Sequence, residues 1–410
     1  MVEKGSILEG RTIQVAMVNT AIESGGAAKM AVNLCRAINR LPKNVSAKLY
    51  HSEDAQILKD VIGLKKNGSR YLNAGLERLA GNFAAYDLGF SREFLKLTSG
   101  ADILHLHNLH GYYVNSEELI DGWGVRPIVW TWHDAWGATG RCCSPMKCTL
   151  WKSGCSRCPN MSNYPASWID NADADFVRKK RLFGSLANLW IVSPSAWLAE
   201  IACQSGFNKD RVVVIPNPVD TNKFRLIPKK VARGRLGIAD DVFVPLFLAA
   251  DCGAKSKGYD DFAEATANPN WHPIAVGKMP KNVGEFVNHV GLVKDIDLLN
   301  HYYAAADVMI IPSYADNYPN TVIESMASGT PVIGYDEGGI SSQLESMPEC
   351  VVVSRGNVSE LRRAVDSFSS GQAYDASKGD LLRDMALQRW ESTRVAAKYV
   401  QLYERVSQRL

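Results

Sequence analysis

The sequence predicts an α/β protein of two Rossmann-like domains facing a central cleft. Three observations carry this. The chain has 410 residues, and at roughly 100–200 residues per domain two domains are the natural expectation. Short apolar, β-branched runs alternate with segments of helical apolar spacing, the pattern of parallel sheets covered by helices on both faces. The alternation breaks once, at Ile215-Pro216-Asn217-Pro218, where a polar and basic stretch runs to Arg235 before a second series starts at Val242. The expected division is 1–214, 215–385 and a tail, 386–410, that returns to the first domain.

Taken in order, residues 12–19, 102–107, 127–133, 189–193 and 212–216 read as buried strands. The spacing predicts helices over 27–38 and 196–204, and another beginning near Asp173. In the second domain 242–249, 308–312 and 331–335 read as strands. A helix is expected from Pro319 to Ser328, since proline suits the first helical position, where its missing N–H would be unpaired anyway. The tail, 390–410, repeats Val395, Tyr399, Leu402, Tyr403 and Val406 at helical spacing and reads as one amphipathic helix. Sheets of this kind bind ligands at the carboxyl ends of their strands.

Composition excludes several classes. A net charge of +3 without a concentrated basic patch argues against nucleic acid as a partner. The densest basic run, Arg178-Lys179-Lys180-Arg181, reads as the solvated face of a helix; the sharper alternative is attraction to phosphates or to an anionic membrane. Residues 1–11 lack an apolar signal core, and no apolar run approaches the ~20 residues needed to span a bilayer. The expectation is a cytoplasmic protein with peripheral contact at the inner face of the membrane. Five of the nine cysteines cluster, which in a reducing compartment suggests metal before disulfide.

The segment from Asp307 to Ile340 is the richest in chemistry. A strand ends in the loop 313–318, and the helix start then offers the N–H groups of Asn320, Thr321 and Val322, a ready phosphate site. Asp316 and Glu324 bracket the turn. Glu324 could accept from a ribose diol and Asp316 from a sugar. Gly338-Gly339 makes a turn where backbone can approach a ligand closely. The plainer alternative is a strand–loop–helix with two surface carboxylates.

The run Asp316-Asn317-Tyr318-Pro319-Asn320-Thr321-Val322-Ile323-Glu324-Ser325-Met326-Ala327-Ser328-Gly329-Thr330-Pro331-Val332 resembles the donor-site signature of the family-4 retaining glycosyltransferases, which have the GT-B fold. Ser24-Gly25-Gly26-Ala27-Ala28 resembles that family's glycine loop, Ile215-Pro216-Asn217-Pro218-Val219-Asp220 with Phe224 its entry to the second domain, and Lys257-Gly258 its basic pair. The final helix resembles the family's C-terminal helix. The resemblance implies transfer of a sugar from a nucleotide-sugar donor to a glycan or lipid-linked acceptor, with no metal required. Glu324 would hold the ribose, Asp316 (where glutamate is usual) the donor sugar, and Lys257 the diphosphate. Asn317, Tyr318, Asn320, Thr321, Val322 and Val293, beside Lys294, complete the expected donor site. Gly25 and Gly26 would lie by the acceptor and the donor phosphates. Asp251 stands where the family usually has an arginine; Lys255 is the candidate substitute.

His133, in Trp132-His133-Asp134, ends a strand at the place of a family histidine near the reacting sugar, with Asp134 to orient it. His105, His107 and His110 follow another strand. Their spacing permits a metal, but acceptor contacts or structure are the favoured reading, and alternation sets His105 and His107 on one face. Cys155-Ser156-Arg157-Cys158 is a C-x-x-C knuckle; with Cys148 and either Cys142 or Cys143 it could close a structural zinc site. The segment from Thr131 to Pro159 resembles a loop of the bacterial polysaccharide, colanic-acid-type subgroup, which favours Cys142. Zinc would pin the insertion 136–160. Rival readings are a nucleotide-sugar epimerase on the same fold, or an inactive donor-binding scaffold marked by Asp251.

Overall fold

The computed structural model describes residues 11–23, 25–42, 44–53, 59–64, 69–145, 147–159, 161–371 and 378–408. Ser24 of the glycine loop and the polar residues 1–10 lie outside them. The chain divides into two compact units, one of residues 1–193, 199–215 and 395–410, the other of 194–198 and 216–394.

The first unit runs β1 (Ile13–Asn19), α1 (Gly26–Arg40), β2 (Val45–His51), β3 (Val61–Gly63), α2 (Ser69–Ala80), α3 (Phe90–Leu97), β4 (Ile103–Leu106), α4 (Ser116–Trp123), β5 (Ile128–Thr131), α5 (Ala172–Gly184), β6 (Leu189–Ser193), α6 (Ala196–Gln204) and β7 (Val212–Val214). Its seven strands are all parallel, in the order β3-β2-β1-β4-β5-β6-β7. The second unit runs α7 (Lys229–Leu236), β8 (Pro245–Asp251), α8 (Tyr259–Ala265), β9 (Ile274–Lys278), β10 (Asn288–Gly291), α9 (Ile296–Ala305), β11 (Val308–Ile311), α10 (Asn320–Ala327), β12 (Val332–Tyr335), α11 (Ile340–Leu344), β13 (Val351–Val353), α12 (Val358–Ser369) and α13 (Gly379–Trp390). Its parallel order is β10-β9-β8-β11-β12-β13. Each sheet reverses its winding direction once, between β1 and β4 and between β8 and β11, and such switch points open a crevice at the carboxyl ends of the strands.

Both faces of the second sheet are buried, as parallel sheets require. Leu246, Met309 and Ile311 pack on one side; Phe247, Val308 and Ile310 pack on the other. The expected tail helix is α14 (Ser392–Ser407), and a separate helix, α13, ends just before it at Trp390. Trp390 packs in the second unit. Val395, Tyr399, Leu402, Tyr403 and Val406 join Val15, Met17 and Ile103 in the core of the first.

The basic run on α5 is only half a solvated face. Lys180 and Arg181 are exposed, but Arg178 pairs with Asp175 at 2.7 Å and donates to the Phe83 carbonyl. Lys179 is buried, donates to the Trp136 carbonyl at 2.9 Å and lies over the Trp136 ring.

Candidate active site

In the second unit the loops that follow β8 and β11 are stitched together at the switch point. The Tyr314 amide donates to the Ser256 carbonyl at 2.8 Å. Gly258 makes the approach possible: its φ is +71°, and a Cβ there would stand 1.9 Å from the Pro312 carbonyl oxygen. The stitch brings together two residues 59 positions apart, as Lys257 Nζ lies 2.6 Å from Asp316 Oδ2. The pair is partly sheltered, with side chains 34% and 15% exposed. The Gly338-Gly339 turn serves the same loop. A Cβ on Gly338 would stand 1.8 Å from the Asp316 carbonyl oxygen and one on Gly339 2.2 Å from that of Asn317. The backbone these glycines admit is the chain's own, which corrects the expectation of a ligand approach.

Pro319 caps α10 from just outside it, with extended ψ, and Asn320 is the first helical residue. The N–H groups of Asn320, Thr321 and Val322 therefore head the helix, where the dipole favours an anion. The Val322 side chain is fully buried in the core, so only its amide can serve a ligand. The Asn320 carboxamide accepts from Asn217 at 3.0 Å. Tyr318 is held by structure: its hydroxyl accepts from Trp390 Nε1 at 2.7 Å, and burial pushes its pKa up. Glu324, half-buried, accepts from the Tyr303 hydroxyl at 2.9 Å. Tyr303 is fully buried, and burial followed by the Glu324 charge holds its proton on. Nothing in the sequence pattern pointed to Tyr303. Lys255 is exposed, and Val293 half-buried after β10. Asp251 ends β8 in register with Lys278 of β9 and accepts from the Gly253 amide. Lys278 is a second exposed cation at this edge that sequence reasoning missed.

In the first unit Gly25 caps α1 with φ +89°, while a Cβ there would meet nothing within 4 Å, so conformation and not space calls for glycine. Gly25 and Gly26 are both exposed. His105 and His107 share a face, ring centroids 4.3 Å apart. His107 Nδ1 lies 2.9 Å from His133 Nε2, so the two share one proton along that contact. His105 is held from both sides, by Thr131 at 2.8 Å and by the Tyr403 hydroxyl at 2.7 Å. Burial lowers all three pKa values, His105 to about 3 and His133 to about 4, with Asp134 opposing it at His133. The three imidazoles are therefore neutral at pH 7. Asp134 turns away from His133, accepting from His110 at 2.8 Å and from the Trp136 amide at 2.9 Å.

All nine cysteines are free thiols. Cys142 neighbours Cys155 and Cys158, and Cys155 neighbours Cys148 and Cys158. The Gly140 amide donates to Cys155 Sγ at 3.0 Å and the Arg141 guanidinium to Cys158 Sγ at 3.6 Å, which are contacts that suit thiolates. The four sulfurs are neighbours but are not drawn to coordination distance. Among the described residues the group of three with donor atoms within 4.8 Å of one another is His110, Asp134 and Cys143.

Two doubly wound parallel sheets, the second with a cation and a helix start at its switch point, define the GT-B class of glycosyltransferase. The comparisons agree. Residues 24–223 match the model described as Glycosyltransferase Family 4, and residues 246–370 that described as Glycosyl transferases group 1. The chain belongs to the family-4 glycosyltransferases. It is 28% identical to the putative colanic acid biosynthesis glycosyl transferase WcaC of Escherichia coli K12, over 78% of this chain and 82% of that one. Its fold matches sucrose-phosphate synthase from Thermosynechococcus elongatus with a TM-score of 0.71 at 16% identity, covering 96% of this chain and 99% of that one. It also matches HepE from Anabaena, solved with UDP-glucose, with a TM-score of 0.67 at 15% identity and the same coverage. No helix among the described residues is long and apolar enough to cross a membrane.

Proposed function

We propose that this glycosyltransferase moves a sugar, with retention at the anomeric carbon, from a nucleoside-diphosphate sugar to a glycan or lipid-linked acceptor in polysaccharide synthesis. The observation that carries the donor half is the convergence of Lys257, Asp316 and the α10 amides at one switch point. Lys257 would leave Asp316 for the diphosphate, freeing Asp316 to accept from sugar hydroxyls, while Glu324, steadied by Tyr303, receives the ribose diol. Charge on the departing diphosphate would be met by Lys257 and by helix N–H groups, an electrostatic contribution that needs no metal. Lys255 and Lys278 are the cations that would cover for Asp251. The retaining course assigns no protein nucleophile; the donor phosphate would help take the acceptor proton. Neutral His133 would serve as a hydrogen-bonding group, with the acceptor on the first unit near Gly25 and Gly26. The similarity to a colanic acid transferase supports a polysaccharide product, and the likeness to HepE supports a nucleotide-sugar donor. The cytoplasmic location and contact with the inner membrane face belong to the same reading.

A panel of nucleotide-sugars with purified protein tests it. One donor should be hydrolysed slowly and raise the melting temperature, and Glu324→Ala should abolish both effects. A donor that binds equally well to Glu324→Ala would overturn the site. We further propose a structural zinc on Cys142, Cys148, Cys155 and Cys158, with the four sulfurs converging on it. Metal analysis should then find zinc that Cys155→Ser fails to retain.

A further inference from the structure

The cysteine-bearing loop holds one thiol that this quartet does not use. Cys142 and Cys143 are consecutive, yet their side chains part. Cys142 faces Cys155 and Cys158. Cys143 faces Asp134 and His110. His110 comes from the loop after β4, Asp134 from the end of β5 and Cys143 from the insertion, so three separate stretches of chain meet. His110 Nε2 lies 2.8 Å from Asp134 Oδ2 and 3.5 Å from Cys143 Sγ, with Sγ 3.8 Å from Nδ1.

We propose that His110, Asp134 and Cys143 form a second metal site, for a zinc-type divalent cation, with a fourth position open to water or a ligand. Donor chemistry supports it, since an imidazole nitrogen, a carboxylate oxygen and a thiolate sulfur suit a cation of borderline softness. Distance supports it too. Bonds of about 2.0 Å to nitrogen and 2.3 Å to sulfur set N and S about 3.5 Å apart in a tetrahedron, and these atoms stand at 3.5 Å. The nitrogen–oxygen edge must open by about half an ångström, and the ring must turn slightly so that Nε2 addresses the ion. The outer atoms of the ligands are already held. His110 Nδ1 lies 3.4 Å from the Tyr164 hydroxyl, and Asp134 Oδ1 accepts from the Trp136 amide at 2.9 Å. Such outer contacts fix the orientation of metal ligands. The site is sheltered, with His110 5% and Asp134 15% exposed.

The same three residue types could instead make a thiol–imidazole–carboxylate relay. A relay uses opposite ring nitrogens, one for the nucleophile and one for the acid. Here the carboxylate is at Nε2 and the sulfur is also nearer Nε2 than Nδ1, which is the arrangement a shared cation needs. An ion there would clamp the insertion to the ends of β4 and β5, one residue from His133.

The test uses the full chain, stripped with a chelator and titrated with Co2+. The thiolate-to-cobalt absorption band and bound metal are read for wild type, Cys143→Ser, His110→Gln and Cys155→Ser. Cys143→Ser and His110→Gln should each lose one equivalent of cobalt that Cys155→Ser keeps. Wild-type stoichiometry and band in a folded Cys143→Ser or His110→Gln would overturn the site. Circular dichroism shows which variants are folded, and the two substitutions are independent, so either one that folds decides. Because no turnover is measured, failure here is distinguishable from failure of the proposed reaction.

Discussion

Two side chains, Lys257 and Tyr303, pair with carboxylates of the donor site far away in sequence, and each dependence can be tested by a single substitution. Lys257 is held on Asp316 in the loop before α10, so Lys257→Ala should lower kcat/KM about 10²-fold, the scale of losing one donor to developing charge. Tyr303 touches Glu324 and not the donor. Tyr303→Phe removes a hydrogen bond to a charged group, worth about 1.5–3 kcal/mol, and should raise KM for the donor about tenfold with kcat nearly unchanged; an equal fall in kcat would mean a role in the transition state. A different residue sets a pH dependence. Glu77 on α2 is fully buried, and the Ala84 and Ala85 amides face it without closing a hydrogen bond to either carboxyl oxygen. Burial raises its pKa to about 8, with Asp175 adding and the two amides and Arg178 opposing. The folded state therefore holds this proton more tightly than the unfolded chain. Its contribution to stability is complete below about pH 4.5 and is lost as pH rises through about 8, on the order of a few kcal/mol in all. Wild type should lose more of its urea midpoint between pH 5 and 8.5 than Glu77→Gln does; parallel pH curves would refute the assignment.

At the scale of elements, the stitch between the loops after β8 and β11 is what a sequence cannot display. Gly258→Ala places a Cβ 1.9 Å from the Pro312 carbonyl at a left-handed φ. The loops must part, and Lys257 must leave Asp316. The expected outcome is a fall of about 2–4 kcal/mol in stability together with loss of the donor-induced thermal shift; a folded variant that still responds to donor would show that the stitch does not build the site. The strands that were legible, such as β1, β6, β11 and β12, are continuous apolar runs buried on both faces, which need no partner to be recognised. Those missed are of two kinds. β3, β10 and β13 are three- or four-residue edge strands, whose pairing is decided by the neighbour and not by their own pattern. β2 carries exposed Lys48, and β9 carries Gly277 at φ +143°, so local composition spoke against a strand. The site divides in the same way. Motif residues on one loop and helix, Asp316 to Glu324, could be read because they are consecutive. Tyr303, Lys278 and the parting of Cys142 from Cys143 depend on register and side-chain direction, which only packing decides.

For the whole molecule, α14 contributes to the core of the first unit as heavily as α1 does. Val395, Tyr399, Val400, Leu402, Tyr403 and Val406 are all buried with β1, β4 and α1. At about 1.5–3 kcal/mol for each large apolar side chain taken from water, losing the helix removes an amount comparable to the 5–15 kcal/mol that stabilises a whole domain. It also strips His105 of its Tyr403 partner and Thr131 of Tyr399, so the row of histidines that ends at His133 loses the hydroxyls that hold it. A chain ending at Glu391 should therefore lose hydrogen-exchange protection throughout β1, β4 and β5. The core of the second unit uses none of these residues, and its amides in β8, β11 and β12 should stay protected. Tyr403→Phe separates the two contributions, because it keeps the apolar ring and deletes only the hydroxyl. It should cost about 1–2 kcal/mol and leave β1 protected, whereas a loss of protection as broad as the truncation's would mean that the buried hydrogen bond, and not the apolar area, holds the helix in place.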